Sequence, residues 1–434
     1  MEAIDRYFGI RASGSSFRGE IIGGLTTFAT MSYIIFVQPA VLTGAGMSSG
    51  YVMLATCLSA AVATLLMGLV ARYPFALAAG MGENFLFVYV CTQGERGLGF
   101  SWPAGLAIVL LSGVIFLGLS LFQFRARILR VFPDALKNAI GPAIGVFIAL
   151  VGFQWGRVIV SDAWTMVKLG SLRDPAALVT LGGVALTAAL LAWNVRGAIL
   201  VGILGTAAVG WATGLISHQA APLNWDTSTF FNLNFGELLQ HWDKALLAIL
   251  LFFFLDLFDT VGTLVGVGKQ AGFIGDDGEL PRADRAFFSD AAATCAGALF
   301  GTSTVTSYIE SASGVAAGAR TGFASVVTAA CFLLAMLAAP FLSISQATVA
   351  PALIVVGFLM MAPLRKVKWE DVTESFPAFM TLTMMVFGYG ITEGIAMGCI
   401  SFVVIKTLAG RWREVHPVMY VVALALAARY GFLR

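Results

Sequence analysis

Residues 301–311 read Gly301-Thr-Ser-Thr-Val-Thr-Ser-Tyr-Ile-Glu-Ser311, and residues 251–260 read Leu251-Phe-Phe-Phe-Leu-Asp-Leu-Phe-Asp-Thr260. Both lie in stretches otherwise apolar enough to be buried in a membrane, and each carries an acid, Glu310 and Asp256. A carboxylate in hydrocarbon costs roughly 2.5–3.5 kcal/mol even on lenient insertion scales. Such groups face a cavity, pair with something, or handle ions and protons. The two acids therefore point to a transporter with a candidate site.

Composition sets the frame around them. Of 434 residues, 59% are hydrophobic and 12% charged. A soluble domain carries about 25% charged residues, so the chain reads as a polytopic membrane protein. A net charge of +2 implies no nucleic-acid partner. The cysteines Cys57, Cys91, Cys295, Cys331 and Cys399 show no metal or CxxC spacing and read as small packing residues. Residues 1–18 are too polar for a signal peptide.

A span needs about 20 apolar residues. Apolar runs lie near 20–43, 49–71, 74–91, 101–123, 133–154, 175–193, 197–216, 243–268, 286–300, 302–319, 321–341, 345–362, 375–391 and 393–410. A further stretch, 416–432, reads as a span, a half-span or an interfacial helix. With the N-terminus cytoplasmic and each run crossing once, inner loops and tails hold 19 Lys or Arg. Outer loops hold five: Arg96, Arg157, Lys168, Arg173 and Lys244. That split obeys the positive-inside rule. The external loop near 217–242, with His218, Asp226, Glu237 and His241, matches no metal motif. The stretch from Asp276 to Asp290 reads as a charged cytoplasmic loop.

The runs repeat. Gly24-Leu-Thr-Thr-Phe-Ala-Thr-Met-Ser-Tyr33 in the first matches Leu251–Gly262 in the eighth, both apolar runs interrupted by polar residues. Ala78-Ala-Gly-Met-Gly-Glu-Asn-Phe85 in the third matches Gly301–Ser311 in the tenth. The offsets agree: 256 − 30 = 226 and 310 − 84 = 226. Seven spans per half is odd, so the second half inserts inverted, and paired interruptions of this kind mark a transporter's site. Gly costs about 1 kcal/mol relative to Ala in a helix, and Thr and Val are β-branched. Runs three and ten are expected to enter as short extended pieces that pair with each other. Helix N-termini would then point at a polar ligand.

Asp256 and Asp259 are three apart on one helix, and Thr260 and Thr263 extend the stripe. Glu310 follows the Thr-rich piece near a helix start. There a carboxyl can take a proton on one side and lose it on the other, or accept ring N–H groups when ionised. The alternative for each acid is a buried helix-to-helix bond; no Lys, Arg or His lies in the apolar body of a span to pair with Asp256 or Glu310. Asn84 offers a donor and an acceptor at the matching break, beside Glu83, which has no assignment. Glu393 reads as facing an aqueous rim. Among Phe28, Phe85, Phe252, Phe253 and Phe258, one or two are candidates to sandwich a flat ring. No Walker A, GxSxG, HExxH or dinucleotide fingerprint is present, and neither an enzyme nor a cofactor is expected.

At Gly23–Pro39, Gly80-Met-Gly-Glu-Asn84, Asp256-Leu-Phe-Asp-Thr-Val-Gly-Thr263 and Gly301–Ser311 the chain resembles the azaguanine–hypoxanthine permease (AzgA-like) branch of nucleobase transporters, from about residue 5 to 410. The resemblance implies a proton-linked carboxylate at Asp256, a ligand-binding glutamate at Glu310, an essential Asn84 and Gly82, and a second motif acid at Asp259. It implies base contacts from the backbone around Phe85 and Ile309–Glu310. Ser311, Thr27 and Phe28 are further candidates to bind the base, and Gly80, Thr260 and Gly301 to shape the site. It implies an all-α fold of about fourteen spans in two inverted seven-span repeats. Residues 1–125 and 243–341 would form a core domain, and 126–217 and 342–434 a gate domain that carries a homodimer interface. The sequence departs from the family pattern at Ala79, Glu83 and Phe85, commonly Pro, an apolar residue and Ala. The expectation is a multi-pass plasma-membrane symporter of protons and purine. The alternatives are a xanthine or uracil carrier, or an anion exchanger of the same fold.

Overall fold

The computed structural model describes residues 2–93, 97–121, 133–162, 164–215, 227–274, 280–338 and 346–432. Arg96, His218, Asp226, Asp276, Asp277 and Glu279 lie outside them. In chain order the helices are α1 (Glu2–Phe8), α2 (Phe17–Met31), α3 (Ile34–Leu42), α4 (Ser49–Leu66), α5 (Met81–Cys91) and α6 (Trp102–Leu121). Then come α7 (Asp134–Trp155), α8 (Pro175–Ala192), α9 (Ala198–Ala212), α10 (Phe235–Gln240), α11 (Trp242–Gln270) and α12 (Ala283–Phe300). The last are α13 (Ser311–Ala316), α14 (Gly322–Ala338), α15 (Gln346–Leu359), α16 (Val372–Phe387), α17 (Ile391–Leu408) and α18 (Pro417–Phe432). Strands are short: β1 (Leu77–Ala79), β2 (Ile159–Asp162), β3 (Met166–Leu169) and β4 (Val305–Ser307). Among the described residues, eight helical stretches are long and apolar enough to cross a membrane, and five shorter apolar helices accompany them. Of these, α18 has 16 residues, about 24 Å at 1.5 Å per residue and short of a ~30 Å hydrocarbon core.

The chain forms two compact units. One comprises described residues within 1–122 and 172–352, the other those within 123–171 and 353–434. The larger unit holds every site residue named above. Its helices start where polar caps allow: Ser16 accepts from Gly19 N at 3.1 Å at the head of α2, and Asp174 from Ala176 N at 2.9 Å at the head of α8. The first apolar run divides at Ser32–Tyr33 into α2 and α3. The eighth, by contrast, is one unbroken helix of 29 residues. Its polar residues form a stripe, not a break.

The third and tenth runs do break. β1 and β4 pair antiparallel, Leu77 opposite Ser307, Ala78 opposite Thr306 and Ala79 opposite Val305. Backbone bonds extend the pairing at both ends, Tyr308 N to Ala76 O and Gly80 N to Thr304 O, each 2.9 Å. A two-stranded ribbon leaves outward-facing N–H and C=O groups, which hydrocarbon would not tolerate. Here hydroxyls take them up. Thr64 Oγ1 accepts from Leu77 N at 2.9 Å and donates to Leu77 O at 3.0 Å. Thr294 donates to Val305 O at 3.0 Å, and Ser311 Oγ accepts from Ala76 N at 3.0 Å. All six strand residues are buried. The Ser and Thr content of these runs is what lets extended backbone persist there.

In the smaller unit α7 packs with α16 and α17. It also holds an ion network: Lys406 reaches Glu374 and Glu414 at 2.7 Å each, and Arg411 reaches Asp371 at 2.7 Å and Glu414 at 2.8 Å. The Thr373 hydroxyl, then Arg411, holds Asp371 down to about 2.

Candidate functional site

The β1–β4 ribbon gathers acids from four elements of the larger unit. Asp256, on α11, is 1% exposed. Its Oδ2 accepts from Thr294 of α12 at 2.8 Å, and its Oδ1 has no partner among the described residues. Asp259, less than one turn further, is half-buried and acts electrostatically on Tyr33 and Tyr308. Glu310 is half-buried at the head of α13. Its Oε1 accepts from the Tyr33 hydroxyl at 2.8 Å. Tyr33 itself sits in the break between α2 and α3, so the first half of the chain supplies the donor for the second half's acid.

Asn84 is fully buried in α5. Its Oδ1 accepts from the Ser303 hydroxyl, and its Nδ2 has no partner among the described residues. Gln38 of α3 donates to Thr302 Oγ1 at 2.8 Å and to Ser303 Oγ at 3.1 Å, so three elements fix the amide's orientation. Phe85 is 9% exposed, whereas Ile309 is 58% exposed. Ser311 serves the ribbon through its bond to Ala76. Thr27 lies against Gly314, where a Cβ would come within 2.0 Å of its hydroxyl. Phe28 sets its ring edge-on to Phe332, with centroids 5.1 Å apart.

The glycines differ in purpose. Gly301 ends α12 in the left-handed region at φ 87°, and a Cβ there would lie 2.4 Å from Thr229 Cβ. Gly80 has ordinary extended backbone; it is small because Glu83 folds over it. Gly82 is buried in the first turn of α5.

The charged loop read from Asp276 to Asp290 ends sooner, since Ala283 and the residues after it are helical. Asp290, read as the end of a charged cytoplasmic loop, lies within α12 and is fully buried. Its Oδ2 accepts from Thr260 at 2.5 Å and its Oδ1 from Ser307 at 2.6 Å. Thr260 also meets Thr306 Oγ1 at 3.1 Å. Asp290 thereby ties α11, which carries Asp259, to β4, whose last residue Ser307 is three before Glu310. The clue was available: Asp290 falls inside the apolar run 286–300. Tyr33, Gln38 and Ser303 gave no such signal, since hydroxyls and amides are common in Gly- and Thr-rich membrane helices.

Apolar helices around a buried two-stranded crossing, with polar groups converging on it, define a membrane solute carrier. The solved structures agree at the level of fold: the transmembrane domain of the bicarbonate transporter BicA from a cyanobacterium superposes with a TM-score of 0.67 at 12% identity, covering 88% of this chain and 96% of that one. The family model described as "Permease family", of the xanthine/uracil permease type, matches residues 18–397, and the chain belongs to this family of nucleobase transporters. It is 41% identical to the guanine/hypoxanthine permease PbuG of Bacillus subtilis, over 99% of both chains. It is 38% identical to the adenine permease AdeP of Escherichia coli, over 99% of this chain and 96% of that one. Members of this family are permeases, not enzymes, and the AzgA-like resemblance stands.

Proposed function

We propose that this protein is a proton-coupled purine nucleobase symporter of the hypoxanthine, guanine and adenine class. The observation that carries the reading is the half-buried Glu310 carboxyl, steadied by Tyr33 beside the strand crossing. A carboxylate accepts hydrogen bonds only, and a purine ring offers N–H donors in one plane. The named relatives are guanine/hypoxanthine and adenine permeases, which supports purine as the solute. Asp256, Glu310 and Asp259 are the proposed proton-linked acids, with Glu310, Asp256, Asn84, Phe85, Ile309, Ser311, Thr27 and Phe28 binding the base.

The proposed cycle is an elevator. A core of residues 1–125 and 243–341 carries base and proton past a gate of 126–217 and 342–434, in fourteen spans arranged as two inverted repeats. The gate would hold a homodimer, in the plasma membrane with the N-terminus cytoplasmic. An anion exchanger of the same fold is the second reading. The likeness to BicA speaks for fold alone, and anion sites favour a helix N-terminus without nearby acids. Radiolabelled hypoxanthine, guanine, adenine, xanthine and uracil should be offered to cells lacking their own carriers, with and without a protonophore. Purine uptake abolished by the protonophore and by Glu310→Ala is expected. Uptake that survives Glu310→Ala overturns the site, and transport of no nucleobase overturns the function.

A further inference from the structure

Glu83 stands in the first turn of α5, three residues after Gly80. It is 1% exposed, and its Oε1 has no hydrogen-bond partner among the described residues. The carboxyl folds back over the helix start: a Cβ on Gly80 would lie 2.2 Å from Oε2 and 2.7 Å from Cδ. With φ −69° and ψ 131°, Gly80 adopts backbone open to any residue. Glycine there supplies room for this carboxyl.

The charged groups acting on Glu83 are acids. They are Asp256 and Asp259 from α11 and Asp290 from α12, with the Tyr308 hydroxyl from beyond β4. Asp290 has both oxygens occupied by hydroxyls. Asp256 and Glu83 each keep one oxygen unpartnered. Two buried carboxylates, each incompletely bonded and with no ion pair among the described residues, are mutually repelling and poorly solvated. Binding a proton relieves both costs.

We propose that Glu83 is a further proton-carrying carboxyl of the site, acting alongside Asp256 and Asp259. Its carboxylate takes one proton from external water when the site faces outward. The acid returns that proton to the cytoplasm when the site faces inward, and no other bond is made or broken. The proposal rests on the proton-symport reading above.

Purified protein in liposomes with a trapped pH dye, given radiolabelled hypoxanthine, reports protons moved per base. Base-for-base exchange at equal pH on both sides, which needs no net proton movement, reports whether a variant still folds and binds. In Glu83→Gln the ratio is expected to fall by about one proton per base, measured against whatever exchange the variant retains. Glu83→Asp, which keeps an acid, is expected to retain the wild-type ratio. An unchanged ratio in Glu83→Gln overturns the proposal. Loss of exchange in both variants makes Glu83 a structural group and also overturns it. If wild type moves base with no protons, the symport reading itself fails, before any variant is considered. A ratio in either variant that changes when sodium is replaced by choline assigns the site to sodium and overturns the proton assignment.

Discussion

Tyr33 donates its hydroxyl to Glu310 at 2.8 Å, joining residues 277 positions apart. The repeat offset gives this bond a meaning. Subtracting 226 from 259 gives 33, so the offset read in the sequence sets Tyr33 against Asp259. A phenol stands at one of these positions and an acid at the other, and Tyr33 binds Glu310 directly. The backbones differ there as well, since Tyr33 lies in a break between two helices and Asp259 within an unbroken one.

Removing the phenol tests that bond. Tyr33→Phe keeps the ring and loses the donor to Glu310. A hydrogen bond to a charged group is worth about 1.5–3 kcal/mol, equivalent to a loss of about ten-fold or more in apparent affinity. The KM for purine uptake should rise accordingly while the amount of protein in the membrane stays near wild type. An unaltered KM would show that Glu310 needs no help from the first half.

Asp290 should matter for stability more than its place in the sequence implies. Asp290→Ala strips the acceptor from Thr260 and Ser307, both buried. An unsatisfied buried hydroxyl costs about 1–3 kcal/mol. Heat inactivation in detergent should set in at clearly lower temperature, and Asp290→Asn, which keeps one acceptor oxygen, should lose less. Equal heat resistance in all three proteins would contradict the described bonding.

Gly301→Ala combines two penalties. The left-handed conformation costs an L-residue about 1–2 kcal/mol, and the new methyl would sit 2.4 Å from Thr229 Cβ and 2.9 Å from its carbonyl oxygen. The yield of monodisperse solubilised protein should drop sharply. Gly14→Ala is the control, since φ there is also positive, at 73°, but open space surrounds it; its loss should be the smaller.

The Asp371–Arg411 clamp makes a prediction with a pH sign. Thr373 and then Arg411 hold Asp371 at about 2, below its ordinary 3.8. A lowered acid contributes stability above its unfolded value and loses it as pH falls through the folded one. The difference in heat resistance between wild type and Asp371→Asn should therefore be constant from neutral pH to about 5 and narrow below about 4. Narrowing already between pH 7 and 5 would rule the clamp out as the source.

The breaks in the third and tenth runs were legible because they depend on local chemistry. Gly80, Gly82 and the Thr-rich 301–307 stretch are poor helix material wherever they lie, and Glu310 and Asp256 are conspicuous in apolar surroundings. The unbroken course of α11 through Asp256 and Asp259 was less so, since a polar stripe and a polar break share a composition. Asp290 was hidden for a related reason: its neighbours Arg282, Asp284 and Arg285 drew it into a loop, and only packing carries it inward.

By itself the sequence determined a polytopic carrier, the breaks in its third and tenth apolar runs and the presence of acids in apolar surroundings. Hydropathy and backbone propensity act over a few residues, and those can be read along a chain. Tertiary structure alone decided which partner each polar group meets. The register that sets Leu77 opposite Ser307, the Tyr33 hydroxyl on Glu310 and the two hydroxyls on Asp290 join residues from 17 to 277 positions apart. A buried polar atom takes whichever partner the fold brings within about 3 Å, and no local pattern records that choice.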